Sequence, residues 1–168
     1  MTGSSETLSE EAVLELRAGD LRLALRPDLG GAVAGLWLGE TMVLRSTEGE
    51  ALEGPRLSAG FPLVPYSNRI GYRRFNWRGK SFTTAPNFDE GPHSLHGVGW
   101  QRAWTVLASD ATHALLKLHH TPDAHWPFAF DATQRFDLGP GGLRIEMSAT
   151  NRSDEAAPMG LGLSLIHI

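Results

Sequence analysis

The chain has no cysteine, which excludes disulfide scaffolds, thiol nucleophiles and thiolate metal sites and is compatible with a reducing cytosol. It also lacks an excess of positive charge: 15 Lys and Arg stand against 19 Asp and Glu, a net charge of -4. That balance leaves no electrostatic footprint for nucleic acid. No apolar stretch approaches the roughly 20 residues needed to span a bilayer. The opening MTGSSETLSEE is polar and acidic where a secretory signal needs a basic start and an apolar run. The expectation is a cytoplasmic protein with no nucleic-acid and no membrane partner. Nothing in the sequence specifies an oligomer.

What is abundant is turn punctuation. Nineteen glycines and ten prolines in 168 residues favour short strands joined by turns over long helices. The length suits one domain, and no repeat or linker divides it. Residues 1–10 read as a flexible tail, with Ser9 before Glu10 and Glu11 as a possible helix cap. From Val13 the alternation predicts a hairpin through Gly19-Asp20 into Leu21, Leu23 and Leu25. Ala32 to Leu38 with Thr41 to Arg45, and Arg74 to Trp77 with Ser81 to Thr84, form two more pairs. Later strands are expected at Ala103 to Ser109, Ala111 to His120, Phe128 to Leu138 and Leu143 to Asn151. This spacing predicts an all-β, antiparallel sandwich or barrel. Its interior should be Leu21, Leu23, Leu25, Leu36, Leu38, Trp104, Val106, Leu116, Leu118, Phe130, Phe136, Ile145 and Met147.

The last residues, Ser164-Leu165-Ile166-His167-Ile168, form an apolar run without a polar closing turn. Such a strand needs a neighbour to cover it. The expectation is a sandwich that is incomplete at its C-terminus, a docked edge strand being the alternative.

Three clusters could carry chemistry. In Phe61-Pro62-Leu63-Val64-Pro65-Tyr66-Ser67-Asn68-Arg69-Ile70-Gly71, the Arg69 guanidinium offers a fixed fork of donors suited to a carboxylate or a pair of sugar hydroxyls. The bland alternative is a structural ion pair. In the irregular stretch Phe88 to Gly99, His93 and His96 are candidate acid/base groups near neutral pH. Their spacing on a glycine-rich loop is not a helix-based metal pair, so no metal is expected. His119 and His120 must point to opposite faces if they share a strand. Trp126-Pro127-Phe128 reads as a core plug, although Trp100, Trp104 and Trp126 could instead line a sugar cleft. Asn151-Arg152-Ser153 matches a glycosylation triplet, Gly30-Gly31 lacks the setting of a phosphate loop, and no Gly-x-Ser-x-Gly elbow is present.

Five of these segments occur in order: Gly30-Gly31-Ala32; Phe61 to Ile70; Ser94-Leu95-His96-Gly97 with Trp100; Trp126-Pro127-Phe128; and Asn151-Arg152-Ser153-Asp154 through Pro158-Met159-Gly160-Leu161-Gly162. Together they resemble the aldose 1-epimerase (galactose mutarotase) family. The resemblance implies a galactose mutarotase-like β-supersandwich that interconverts the α and β anomers of free aldoses without a cofactor. A glutamate would take the anomeric proton while a histidine protonates the ring oxygen. Arg69 and His96 match family positions that hydrogen-bond the sugar, His96 being the catalytic candidate, and Asn68 joins them as a supporting residue of the sugar site.

The departures from the family pattern concern the end of the chain. In the family the segment like Pro158 to Leu163 is followed by His-Pro-Tyr-Phe, whose His is the acid, whereas Ser164-Leu165-Ile166 stands here. The distal Asp and the general-base Glu have no matching positions. The chain therefore reads as one partial domain, 1–168, with residues 164–168 a non-native tail and no activity of its own. A hexose-6-phosphate 1-epimerase is the near alternative, with Arg69, Arg73, Arg74 and Arg102 available for the phosphate. A non-catalytic carbohydrate-binding β-sandwich is the distant one.

Overall fold

The computed structural model describes residues 13–167, so the N-terminal tail and the helix cap considered at Ser9 lie outside the described residues. The chain opens with β1 (Leu14–Ala18), β2 (Leu21–Arg26), β3 (Ala32–Leu38), β4 (Thr41–Met42) and β5 (Gly60–Leu63). Two short pairs follow, built from β6 (Arg69–Ile70), β7 (Arg74–Trp77), β8 (Lys80–Thr83) and β9 (Ser94–Leu95). The remainder is β10 (Thr105–Ser109), β11 (His113–His120), β12 (Phe130–Gly139), β13 (Gly142–Asn151) and β14 (Gly162–Leu165). Among the described residues, helix is confined to four single turns of 3-10 type. No helix among the described residues is long and apolar enough to cross a membrane.

A six-stranded sheet runs β1-β2-β3-β5-β14 with β4 beside β3, and a four-stranded sheet runs β10-β11-β12-β13. All of these ladders are antiparallel. The sheets close over one core in which Leu16, Leu23, Leu25 and Val33 meet Leu116, Leu118, Phe130 and Phe136. Burying each of these side chains contributes about 1.5–3 kcal/mol against leaving it exposed. Gln134 reaches from the second sheet to the Gly31 carbonyl at 3.0 Å, a buried tie between the layers.

In β2 and β3 nearly every residue is buried, because the first sheet is covered on both faces. Its other face carries a second core of Ala24, Ala34, Phe61, Leu63 and Trp100. Loops, not a sheet, form this cover, and they hold the candidate site. By contrast β13 keeps the strict alternation of a strand with one wet face.

Two expected core residues are outside. Leu38 is 52% exposed because it sits at the lip of the Gly39-Glu40 turn. Val106 is 39% exposed because β10 is an edge strand, exposed throughout and shifted in register between Val106 and Ala108. Ile145 and Met147 pack on the core from β13 while staying half-buried. The strand expected over Thr41 to Arg45 forms ladder pairs only at Thr41 and Met42. Ser164 and Leu165 pair with Phe61 and Gly60 of β5, and the Ile166 N–H reaches the Ala59 carbonyl at 2.8 Å. The apolar end of the chain thus occupies the edge of the first sheet.

Candidate sugar site

Arg69 lies in one short ladder and His96 directly follows its facing strand. Arg69 of β6 stands opposite Leu95 of β9, and Ile70 opposite Ser94. Two residues a side cannot hold themselves in water, so the ladder depends on its anchors. Asn87 donates from Nδ2 to the carbonyls of Leu95 (2.7 Å) and Gly97 (3.0 Å), and its Oδ1 accepts the Leu95 N–H at 2.8 Å. From below, the Val64 carbonyl accepts the N–H groups of Val98 (2.9 Å) and Gly99 (3.0 Å). Gly97 passes so close to this carbonyl, at φ +70, that a Cβ there would collide with it. The loop after His96 is therefore bolted to the end of β5.

The His96 ring is fixed by its neighbour's backbone. The Asn68 N–H donates to His96 Nδ1 at 3.0 Å, and the His96 N–H donates to the Asn68 carbonyl at 2.9 Å. Both residues are left-handed, φ +62 and +59, a conformation that costs an L-residue roughly 1–2 kcal/mol and that Asn tolerates best among residues other than glycine. The reciprocal bonds offset that strain. An Nδ1 that accepts from an amide leaves the ring proton on Nε2. Burial pushes His96 below its ordinary value, and the Arg69 guanidinium adds to the shift. The ring is a neutral Nε2–H donor at physiological pH, packed edge-on to Phe61 with centroids 6.2 Å apart.

Arg69 is exposed. Among the described residues its guanidinium meets no carboxylate and makes no hydrogen bond, so the structural ion pair weighed in the sequence does not form. The Asn68 side chain is likewise exposed and unengaged among the described residues, and what this residue supplies is backbone geometry. Asn87 had escaped the sequence reading; its only signal was an Asn beside Pro86 at the start of the irregular stretch. The same device recurs at the far end of the ladder, where the Tyr72 N–H donates to His93 Nδ1 at 2.9 Å. Tyr72 is left-handed at φ +52, and its ring stands edge-on to His93 at 5.1 Å.

The other candidates are structural. His120 is fully buried and bonded through Nε2 to the Trp126 carbonyl at 2.9 Å, while His119 faces outward to Asp131 at 2.6 Å, the opposite faces the strand requires. Trp100, Trp104 and Trp126 are all buried, so they do not form a sugar cleft. Arg102 is paired with Asp123 and drops out of the set of available cations.

These features define an antiparallel β-protein built on two main sheets, with a histidine and an arginine brought together at one short ladder. A sequence profile of the aldose 1-epimerase family matches residues 12–164, and the chain belongs to that family. It is 32% identical over 151 residues to the uncharacterized protein YphB of Escherichia coli K12, covering 89% of this chain and 50% of YphB. A crystal structure from Escherichia coli K12, provisionally named an aldose 1-epimerase, superposes with a TM-score of 0.81 at 29% identity, over 90% of this chain and 50% of that one. A galactose mutarotase-like protein of Clostridium acetobutylicum gives 0.76 at 23% identity, over 90% and 49%, a likeness of fold. The chain spans half the length of YphB.

Proposed function

We propose that this chain supplies the sugar-holding part of an aldose 1-epimerase, acting on free aldoses in carbohydrate metabolism in the cytoplasm. One observation supports this best: a neutral His96 with its Nε2–H outward beside an Arg69 that no carboxylate of the described residues neutralises. Opening a cyclic hemiacetal requires removal of the anomeric hydroxyl proton and protonation of the ring oxygen. The ring-opened sugar rotates about C1–C2 and recloses on the other carbonyl face. A neutral imidazole N–H is suited to donate to a sugar oxygen whose negative charge grows in this step, and the forked guanidinium to grip a hydroxyl pair.

Neither residue is placed to take the anomeric proton. His96 Nδ1 is occupied by the Asn68 amide, and a guanidinium holds its proton throughout. On this reading the 168-residue chain binds an aldose without turning it over. Polarimetry on freshly dissolved aldose tests it: the chain alone should match buffer, while a version whose tail from Ser164 is replaced by the family's continuation should accelerate mutarotation. Activity of the short chain, folded and monomeric, would contradict the reading.

A further inference from the structure

The two edges of the four-stranded sheet differ in kind. At one end β10 is exposed throughout and its register slips between Val106 and Ala108, an irregularity of the sort that keeps an edge from adding strands. At the other end β13 follows β12 from Asn151 to Gly142 without a break. Gly142 to Asn151 contains no proline and no lysine, and among the described residues no strand lies beyond it. The edges of the first sheet are tied down. The Arg17 N–H of β1 donates to the Ala111 carbonyl at 2.7 Å, and next to β14 the Ile166 carbonyl accepts the Arg45 N–H at 2.8 Å. Among the described residues β13 is the long, regular edge that nothing guards.

Its inward side chains are covered only in part. Leu143, Ile145, Met147 and Ala149 pack on the core yet stay half-buried, so apolar surface runs out to the rim of the sheet. Gly139 and Gly142 close the β12–β13 hairpin, and the Arg152 N–H continues the same series to the Ala129 carbonyl at 2.9 Å. The even-numbered residues of β13 therefore spend their N–H and C=O groups on β12, while Leu143, Ile145 and Met147 turn theirs outward. On the wet face the register sets Glu146 beside Arg135 and Arg144 beside Asp137, a pattern of alternating charge that stops at the edge.

We propose that β13 is a homodimer interface. A second copy of this chain adds its own β13 antiparallel, across a twofold axis at Ile145, and joins the two four-stranded sheets into one. Residues that turn their backbone groups outward must meet others that do the same, which leaves few registers, and charge selects among them. With Ile145 opposite the partner's Ile145, Arg144 stands opposite the partner's Glu146, and Glu146 opposite the partner's Arg144. Each row across the seam then reads Asp137, Arg144, the partner's Glu146 and the partner's Arg135, alternating in sign throughout. On the inner face Leu143 meets the partner's Met147, and the half-buried rim of each core is covered by the other. Moving the axis to residue 144 or 146 would set arginine against arginine or glutamate against glutamate, which is unfavourable for residues directly opposite. A twofold contact consumes this edge in both copies, so growth stops at the dimer.

Sedimentation of the 168-residue protein, together with amide exchange followed by NMR, tests the interface. The mass should double as concentration rises. The Leu143, Ile145 and Met147 amides should exchange more slowly in the dimer than in the diluted monomer, while those of Arg144 and Glu146, already bonded to β12, keep their rate. Arg144→Glu and Glu146→Arg lie on the exposed face, and each should weaken association at least about tenfold, because the twofold repeats every reversed contact. Mixed in equal amounts, these two variants should pair with each other, and the double variant Arg144→Glu/Glu146→Arg should again pair with itself. Leu107→Glu on β10 should change nothing. A chain that stays monomeric at millimolar concentration would overturn the interface. So would a dimer indifferent to both single variants, or single variants that fold but do not recover when mixed. A monomer with slow exchange at Ile145 and Met147 would mean that a segment of the same chain covers the edge, and would overturn it too.

Discussion

Two histidine-bearing regions of this molecule use the same residue types to opposite ends. On the outer face of the four-stranded sheet, Asp131 gathers His119 (2.6 Å), Arg152 (2.9 Å) and Lys117 (3.1 Å). His119, then Lys117 and Arg152, hold its carboxyl far below the usual carboxylate range. At and beside the β6–β9 ladder, Arg69 and Arg73 face no carboxylate among the described residues, and His96 and His93 take backbone amides at Nδ1. The first region is saturated by its own side chains and needs nothing more. In the second, the fold spends backbone strain to hold its donors while leaving them unsatisfied, the signature of groups prepared for a ligand.

The comparison breaks most sharply at the ring and the guanidinium. In a version that carries the family's continuation from Ser164, His96→Ala and Arg69→Ala should each lower mutarotation at least about tenfold, equivalent to about 1.4 kcal/mol of transition-state stabilisation. Asp131→Asn should leave that rate unchanged and cost no more than about 1–2 kcal/mol in stability, since the partners of Asp131 are largely in water. Equal rate losses in both regions would erase the distinction.

Anchoring gives the next effect. Asn87→Ala removes three hydrogen bonds of the His96 loop and leaves partly buried backbone groups unpaired, which should cost about 1–3 kcal/mol in denaturant unfolding and weaken aldose binding. Asn68→Gly keeps both the amide and the left-handed backbone and should preserve binding. Asn68→Val, strained at φ +62, should lose it while still folding.

Acid acts on the fold in two separate steps. Burial depresses His120 and His96 below the ordinary histidine value, so the unfolded chain takes up their protons first. Their contribution to stability is complete above pH of about 6.5 and declines as pH falls below it. Burial works to raise Asp123, yet Arg102 and the N–H groups of Trp126 and His125 override it and hold the carboxyl at about 2. That contribution persists until pH falls below about 4. Equilibrium unfolding against pH should therefore show a first loss near neutrality, diminished in His120→Leu, and a second loss in strong acid. The smallest effect is expected at exposed His113, where alanine should stay within about 0.5 kcal/mol and leave activity unchanged.

How far the sequence led follows from the same contrast. Strands such as Gly142 to Asn151 were legible because one face is wet and the period of two holds as far as Thr150. Leu38 and Val106 misled because alternation names a face but not whether the opposing layer extends beneath it. Arg69 and His96, which the structure brings together across the β6–β9 ladder, were singled out through a family pattern. The features that set their chemistry were not: the Asn87 clamp spans 8 to 10 residues of irregular chain, and left-handed backbone at Asn68, Tyr72 and His96 leaves no mark in periodicity. Nor can a count of charges show which arginines are neutralised. Pairing is a property of the folded surface.

The chemistry of this site turns on Asn68 holding His96 as a neutral Nε2–H donor. A long-range 1H–15N NMR spectrum of the histidine rings, recorded at neutral pH with and without aldose, tests it directly. The expected result is a His96 ring protonated at Nε2 and unprotonated at Nδ1, titrating below the ordinary histidine value of about 6.5, with its Nε2 resonance displaced by aldose. A ring protonated at Nδ1, or one whose Nε2 ignores saturating aldose, would contradict it.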